Sequence, residues 1–94
     1  MDKNIVKLKK MVEKHLHHSK DEISSFFGQP SRKSDDYIWF FRMYKLNIFH
    51  EEIIFNFEED KVVDIALVIY FLWFKVKSIY YFEHQSSEYK ILNF

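Results

Sequence analysis

The chain has no cysteine, one glycine and one proline in 94 residues, and its formal net charge is zero. The missing cysteine excludes thiol nucleophiles, thiolate metal sites and a disulfide scaffold together. A single glycine excludes every Gly-rich phosphate cradle, because both the P-loop and the dinucleotide fingerprint need several. The balance of 14 basic and 14 acidic side chains supplies no global field to draw in nucleic acid or an anionic membrane. Long hydrophobic runs are missing too. The longest, 65–74, is ten residues between Asp64 and Lys75, about half of what a membrane-spanning helix needs. The lysine-bearing start of the chain lacks the apolar stretch of a signal peptide. These absences predict a cytoplasmic protein with no membrane association and no cofactor.

What is present is uneven. Residues 1–20 hold six lysines against two acids, whereas 46–64 hold six acids against one lysine. Of the 19 aromatic residues, 17 lie at or after Tyr37. The length allows one domain, 1–94, and a core without disulfides must be densely apolar at this size, which 48% hydrophobic residues can supply.

Ile5, Leu8, Val12 and Leu16 recur at three- and four-residue spacings and predict a helix over 4–18, with lysines mostly on its other face. Ser19-Lys20-Asp21-Glu22 has the form of a capping box and starts a second helix over 20–27. Gly28 is expected in a left-handed cap position that ends it, and Pro30 cannot continue it. From Tyr37 the period becomes two, with β-branched and aromatic residues that suit strands. A sheet is expected over 37–82 and a tail over 83–94, with 62–82 forming one bent strand or two. No Asn-Gly or Asp-Gly pair is present, so longer or less regular hairpin loops are expected. The fold class is α+β: two N-terminal helices packed on one face of a three- to four-stranded antiparallel meander.

No catalytic constellation stands out. His15, His17 and His18 are close in sequence, but two imidazoles a turn apart still need further ligands to hold zinc. A polar, lysine-flanked helix end, with charged imidazoles at the negative pole of the helix dipole, is the expected reading, and no metal site is assigned. No glycine flanks a serine, so the nucleophile elbow is missing. The lysines of the first helix and the sheet aromatics could suit a nucleic acid, but the acidic segment repels phosphate and the strands lack an RNP-like motif. The aromatic excess points elsewhere. Two helices cover one sheet face only, so the apolar area left over either marks an interface or is covered by the C-terminal segment wrapping over the sheet, the interface being the expected outcome.

The segment from Ser19 through Phe26-Phe27-Gly28-Gln29-Pro30, then Asp36-Tyr37-Ile38-Trp39-Phe40, then Ile54 through Asp60-Lys61-Val62-Val63-Asp64-Ile65, resembles the SmpA/BamE-like domain and the repeated unit of the β-lactamase inhibitor protein. Those units share a short helix ending in Leu-Gly-x-Pro, a Trp-Tyr strand and a Phe-x-x-Gly-Lys-Val hairpin. The resemblance spans residues 19–65 and departs where Asp60 replaces the hairpin glycine. It implies a helix-helix-sheet fold whose exposed face binds proteins. The composition is also similar to that of small bacterial immunity proteins from contact-dependent growth inhibition, which bind a cognate toxin domain and block it. The resemblance thus implies a non-enzymatic toxin inhibitor that meets a basic, nuclease-type toxin surface. The partner-binding residues expected for it are Trp39, Glu51, Glu52, Glu58, Glu59, Asp60 and Asp64, with Tyr37 and Trp73 as aromatic anchors. The alternative is a self-associating structural domain that buries its second sheet face in a homodimer; a His-metal hydrolase is a distant third.

Overall fold

Among the described residues, the alternation after Tyr37 is realised as five strands in a single meander. The computed structural model describes residues 3–44, 49–72, 74–82 and 86–93, with only the backbone course for 44, 82 and 86–93. Two helices, α1 (Lys3–His15) and α2 (Lys20–Phe27), precede β1 (Ile38–Tyr44), β2 (Phe49–Glu58), β3 (Lys61–Phe71), β4 (Phe74–Phe82) and β5 (Ser86–Asn93). The strands lie side by side in chain order, each antiparallel to its neighbours. The class is α+β as expected, but the meander runs further than the three or four strands read from the sequence. Part of the expected tail, Ser86–Asn93, is the fifth strand and pairs with β4.

Register decides which side chains meet the helices. Phe41 lies opposite Ile53, Ile53 opposite Leu67, and Leu67 opposite Ile79, so one row crosses four strands on one face. All four are buried with Leu8 and Val12 of α1 and Ile23 of α2. Each fully buried aliphatic or Phe side chain contributes roughly 1.5–3 kcal/mol by leaving water. Trp39, Phe41, Phe55, Phe57 and Phe27 meet edge-to-face or tilted, with ring centroids 5.0–6.2 Å apart, a geometry the ring quadrupoles favour.

The capping box forms as expected. The Ser19 hydroxyl accepts from the Glu22 N–H, and the Glu22 carboxylate accepts from the Ser19 N–H, both at 3.2 Å. Gly28 closes α2 with φ 80° and ψ −146°, its N–H donating to Ser24 O. The φ is positive, but the ψ departs from the expected left-handed cap into a region open essentially to glycine alone.

The first helix ends at His15, short of the expected 18. His17 has φ 68° and its N–H donates to Val62 O at 2.9 Å, while Val62 N–H donates to His18 O at 3.0 Å. The linker thus leaves the helix to pair with the first residues of β3, which lie before the stretch where β3 pairs with β4.

The hairpins also differ from expectation. Glu58 pairs with Lys61 across only Glu59 and Asp60, whose φ values are 52° and 64°. This is the two-residue turn whose twist matches that of the strands, made without the usual glycine. Phe71 pairs with Phe74, and Leu72 between them has φ 56°, so 62–82 is two strands. Polar residues 31–35 shield part of the edge of β1: Ser31 N–H donates to Phe40 O at 2.8 Å, and Ser34 Oγ accepts from Phe40 N–H at 2.9 Å. Covering an edge in this way opposes unwanted strand pairing.

Candidate functional site

Alternation along β2 sends adjacent glutamates to opposite faces. Glu51 turns toward the helices, is 4% exposed and is ion-paired with Lys7 of α1. Glu52 turns to the second face, is 2% exposed, and lies 2.6 Å from Lys33 Nζ and 3.5 Å from an Arg42 guanidinium nitrogen. Tyr70 donates its hydroxyl to Glu52 at 3.4 Å. Burial first, and the Glu52 charge second, push the Tyr70 phenol above its ordinary pKa. Taking the partner from a buried charge costs about 3–5 kcal/mol, so both glutamates are committed to internal pairs. Glu51 and Glu52, both expected to face a partner, are therefore engaged within the molecule.

The other expected residues divide in the same way. Trp39 is half-buried in the core against Phe41 and Phe57. Asp64 lies half-buried on the second face and accepts from Asn56 Nδ2 at 2.9 Å. Glu58, Glu59 and Asp60 are exposed at the β2–β3 turn, and Tyr37 is 69% exposed. Trp73 lies outside the described residues.

The exposed members converge. Phe57 N–H donates to Tyr37 O at 2.7 Å, which places Tyr37 beside the strand that runs directly into Glu58, Glu59 and Asp60. Asp35 and Asp36, exposed and just before Tyr37, join the same end of the molecule. The Asp35 carboxylate is fastened by the amides of Ile38 and Tyr37, each at 2.8 Å, and these bonds hold its pKa below the usual range. Lys61 opposite Glu58, and Lys20 with its Nζ 5.7 Å from the Phe57 ring centroid, offset part of the charge. The result is an acidic end with an exposed phenol. Sequence reasoning passed over Asp35 and Asp36, although their position directly before Tyr37 was the available signal.

The far ends of β2 and β3 are apolar. Phe49, Phe71, Leu72, Phe74 and Val76 are all exposed, and the Phe49 and Phe71 rings lie 5.1 Å apart. Among the described residues the second sheet face carries no helix, yet Val68 and Ser78 are buried there, in one row with Arg42 and Glu52. Stacked His50 and Tyr70, 4.6 Å apart, flank that row. A hollow of about 190 Å³ opens on this face beside Asp64, and another of about 390 Å³ lies between α2 and β1.

The histidines require a correction. His15 ends the first helix, but in place of polar surroundings it has aromatic ones: it is 4% exposed, with its ring 5.0 Å from Phe26, 5.2 Å from Phe27 and 6.2 Å from Phe55. Burial, then the charges of His18 and Lys14, lower its pKa. His18 Nε2 lies 3.6 Å from Glu22, while Nδ1 of both His15 and His18 lacks a hydrogen-bond partner among the described residues. Among the described residues, no three His, Asp or Glu side chains are gathered where they could hold a metal ion.

Among the described residues, no helix is long and apolar enough to cross a membrane. Comparison with known proteins gives no match: no family model, no curated protein and no solved structure matches the chain. The resemblance over residues 19–65 accordingly rests on those residues alone.

Proposed function

We propose that the chain is a non-enzymatic protein-binding module, an immunity-type inhibitor that works in the bacterial cytoplasm and covers the basic surface of a nuclease-type toxin domain. One observation carries this reading: Tyr37, 69% exposed, sits at the same end as Asp35, Asp36, Glu58, Glu59 and Asp60. A basic surface that otherwise holds a phosphate backbone would meet here a two-residue turn flanked by carboxylates and an amphipathic ring. Charge of this kind acts mainly on association rate and specificity, while Tyr provides contact area at low entropic cost. Glu51, Glu52 and Trp39 support the surface from within and do not touch the partner.

The reading predicts that a toxin domain is encoded beside this gene, and association with that domain is its test; a neighbourhood without one counts against it. Replacing Glu58, Glu59 and Asp60 together by Gln, Gln and Asn is expected to slow association at low salt about tenfold or more, and to flatten its salt dependence. Unchanged association kinetics for the triple variant would sink the proposal.

A second reading, self-association, is favoured by a separate observation. The exposed Phe49, Phe71, Leu72, Phe74 and Val76 gather at the opposite end of the sheet, and apolar side chains grouped in this way mark a contact surface.

A further inference from the structure

The second sheet face carries a hollow with its own chemistry. Ile54 lies opposite Ala66, and Ala66 opposite Tyr80, so the smallest side chain of the row sits between two large ones. The next row toward the acidic turn is Ile38, Asn56 and Asp64. Between these rows lies the space of about 190 Å³. Small-molecule sites generally span about 300–1,000 Å³, so this one has the size for a single side chain.

Its polar edge selects the kind of side chain. Asn56 Nδ2 donates to Asp64 Oδ2 at 2.9 Å, which directs an amide donor to the carboxylate and makes the pair, toward a ligand, chiefly an acceptor group. Its walls are aliphatic on the Ile38 and Ile54 side and aromatic at Tyr80. A guanidinium on an aliphatic stem satisfies all three parts. The planar fork suits a carboxylate bidentately, the methylenes lie along isoleucine, and the cation gains from the face of a tyrosine. An ammonium is a more strongly hydrated point charge without the planar match.

We infer that the hollow between Ile38, Ile54, Ala66 and Tyr80, with Asp64 and Asn56 at its rim, receives one arginine side chain of the basic partner. The inference deepens the proposed function and rests on it for the identity of the partner. The acidic end draws a basic surface in, and the hollow holds one side chain of it in a fixed place.

Amide-resolved NMR titration of the full chain with N-acetyl-arginine methylamide tests this, with capped citrulline as its neutral isostere. The expected result is saturable, millimolar binding with shifts at Asp64, Ala66 and Tyr80, and none from citrulline at equal concentration. Ala66→Val, which crowds the hollow, and Asp64→Asn, which removes the charge, should each weaken arginine binding, the latter about tenfold, the scale of one lost charge-assisted hydrogen bond. Well-dispersed spectra establish that each variant is folded, and Asp64→Asn decides the matter if Ala66→Val is not. Equal responses to arginine and citrulline, or arginine shifts at the acidic turn that Asp64→Asn leaves unchanged, overturn the inference. Kinetics with the toxin domain keep the two claims apart. If the turn variant slows association while Ala66→Val and Asp64→Asn do not alter the complex, the partner reading stands and the arginine site falls. If capped arginine binds the hollow but the turn variant associates normally, the site stands without that partner reading.

Discussion

His15 shows how far a side chain's neighbours decide its chemistry. In sequence it belongs to a lysine-flanked, histidine-rich helix end; in the fold it is enclosed by Phe26, Phe27 and Phe55. Its folded pKa is lowered, so the native state resists a proton that the unfolded chain accepts near pH 6.5. This contribution to stability is complete above about pH 6.5 and is lost as pH falls toward the folded pKa. Denaturant midpoints are therefore expected to fall between pH 7 and 5, and less steeply in His15→Leu than in the parent chain. Identical slopes for the two proteins would contradict the burial argument. Glu22 and Asp35, whose pKa values are also lowered, lose their contributions at lower pH, below the ordinary carboxylate range near pH 4. Lys14, His18 and Glu22 are the charges around this corner, so their variants would shift the same window.

At the scale of elements, the β2–β3 hairpin has a geometry that its residues do not prefer. Glu59 and Asp60 both have positive φ, at a cost of roughly 1–2 kcal/mol for each residue with a Cβ. Asp60→Gly relieves the second of these but loosens the unfolded chain by roughly 0.4–1 kcal/mol. A net gain of up to about 1.6 kcal/mol is expected, measured as a rise in the denaturant midpoint at unchanged slope. A loss of stability would mean that the turn is held by contacts of the Asp60 side chain. The capping box and helix-ending glycine were legible because they are local: hydrogen bonds reach three or four residues, and Gly and Pro act through their own dihedral angles. The place of the hairpin was legible too, in the polar run 58–61, but its tight two-residue form was not. Its usual signature is glycine, and here cross-strand pairing imposes the turn on residues that carry none.

Across the whole molecule, β3 joins two ends of different character. Its start follows the acidic turn, and its finish lies among Phe49, Phe71, Leu72 and Phe74. If the apolar end is a contact between copies, sedimentation should show a concentration-dependent dimer that Phe71→Ser with Phe74→Ser abolishes and the acidic-turn variant leaves intact. A monomer at millimolar concentration would remove that reading. The zero net charge hides this arrangement, since a total carries no positions.

Periodicity, the capping box and the single Gly28 determined the α+β class, the order of helices before strands, and where helix yields to sheet. Those features depend on neighbours within a few residues along the chain. The fate of Glu51 and Glu52 could not be read in the same way. Both are acids in a strand, and only the docking of α1 and the 31–35 loop determines that Lys7 meets one and Lys33 the other. The same holds for Tyr37, which joins the acidic turn through a bond to Phe57, 20 positions away. Local preference chooses the elements, whereas burial and register between distant strands choose which charges stay in water. Only the tertiary structure could therefore separate the acids that hold the fold from those that face a partner.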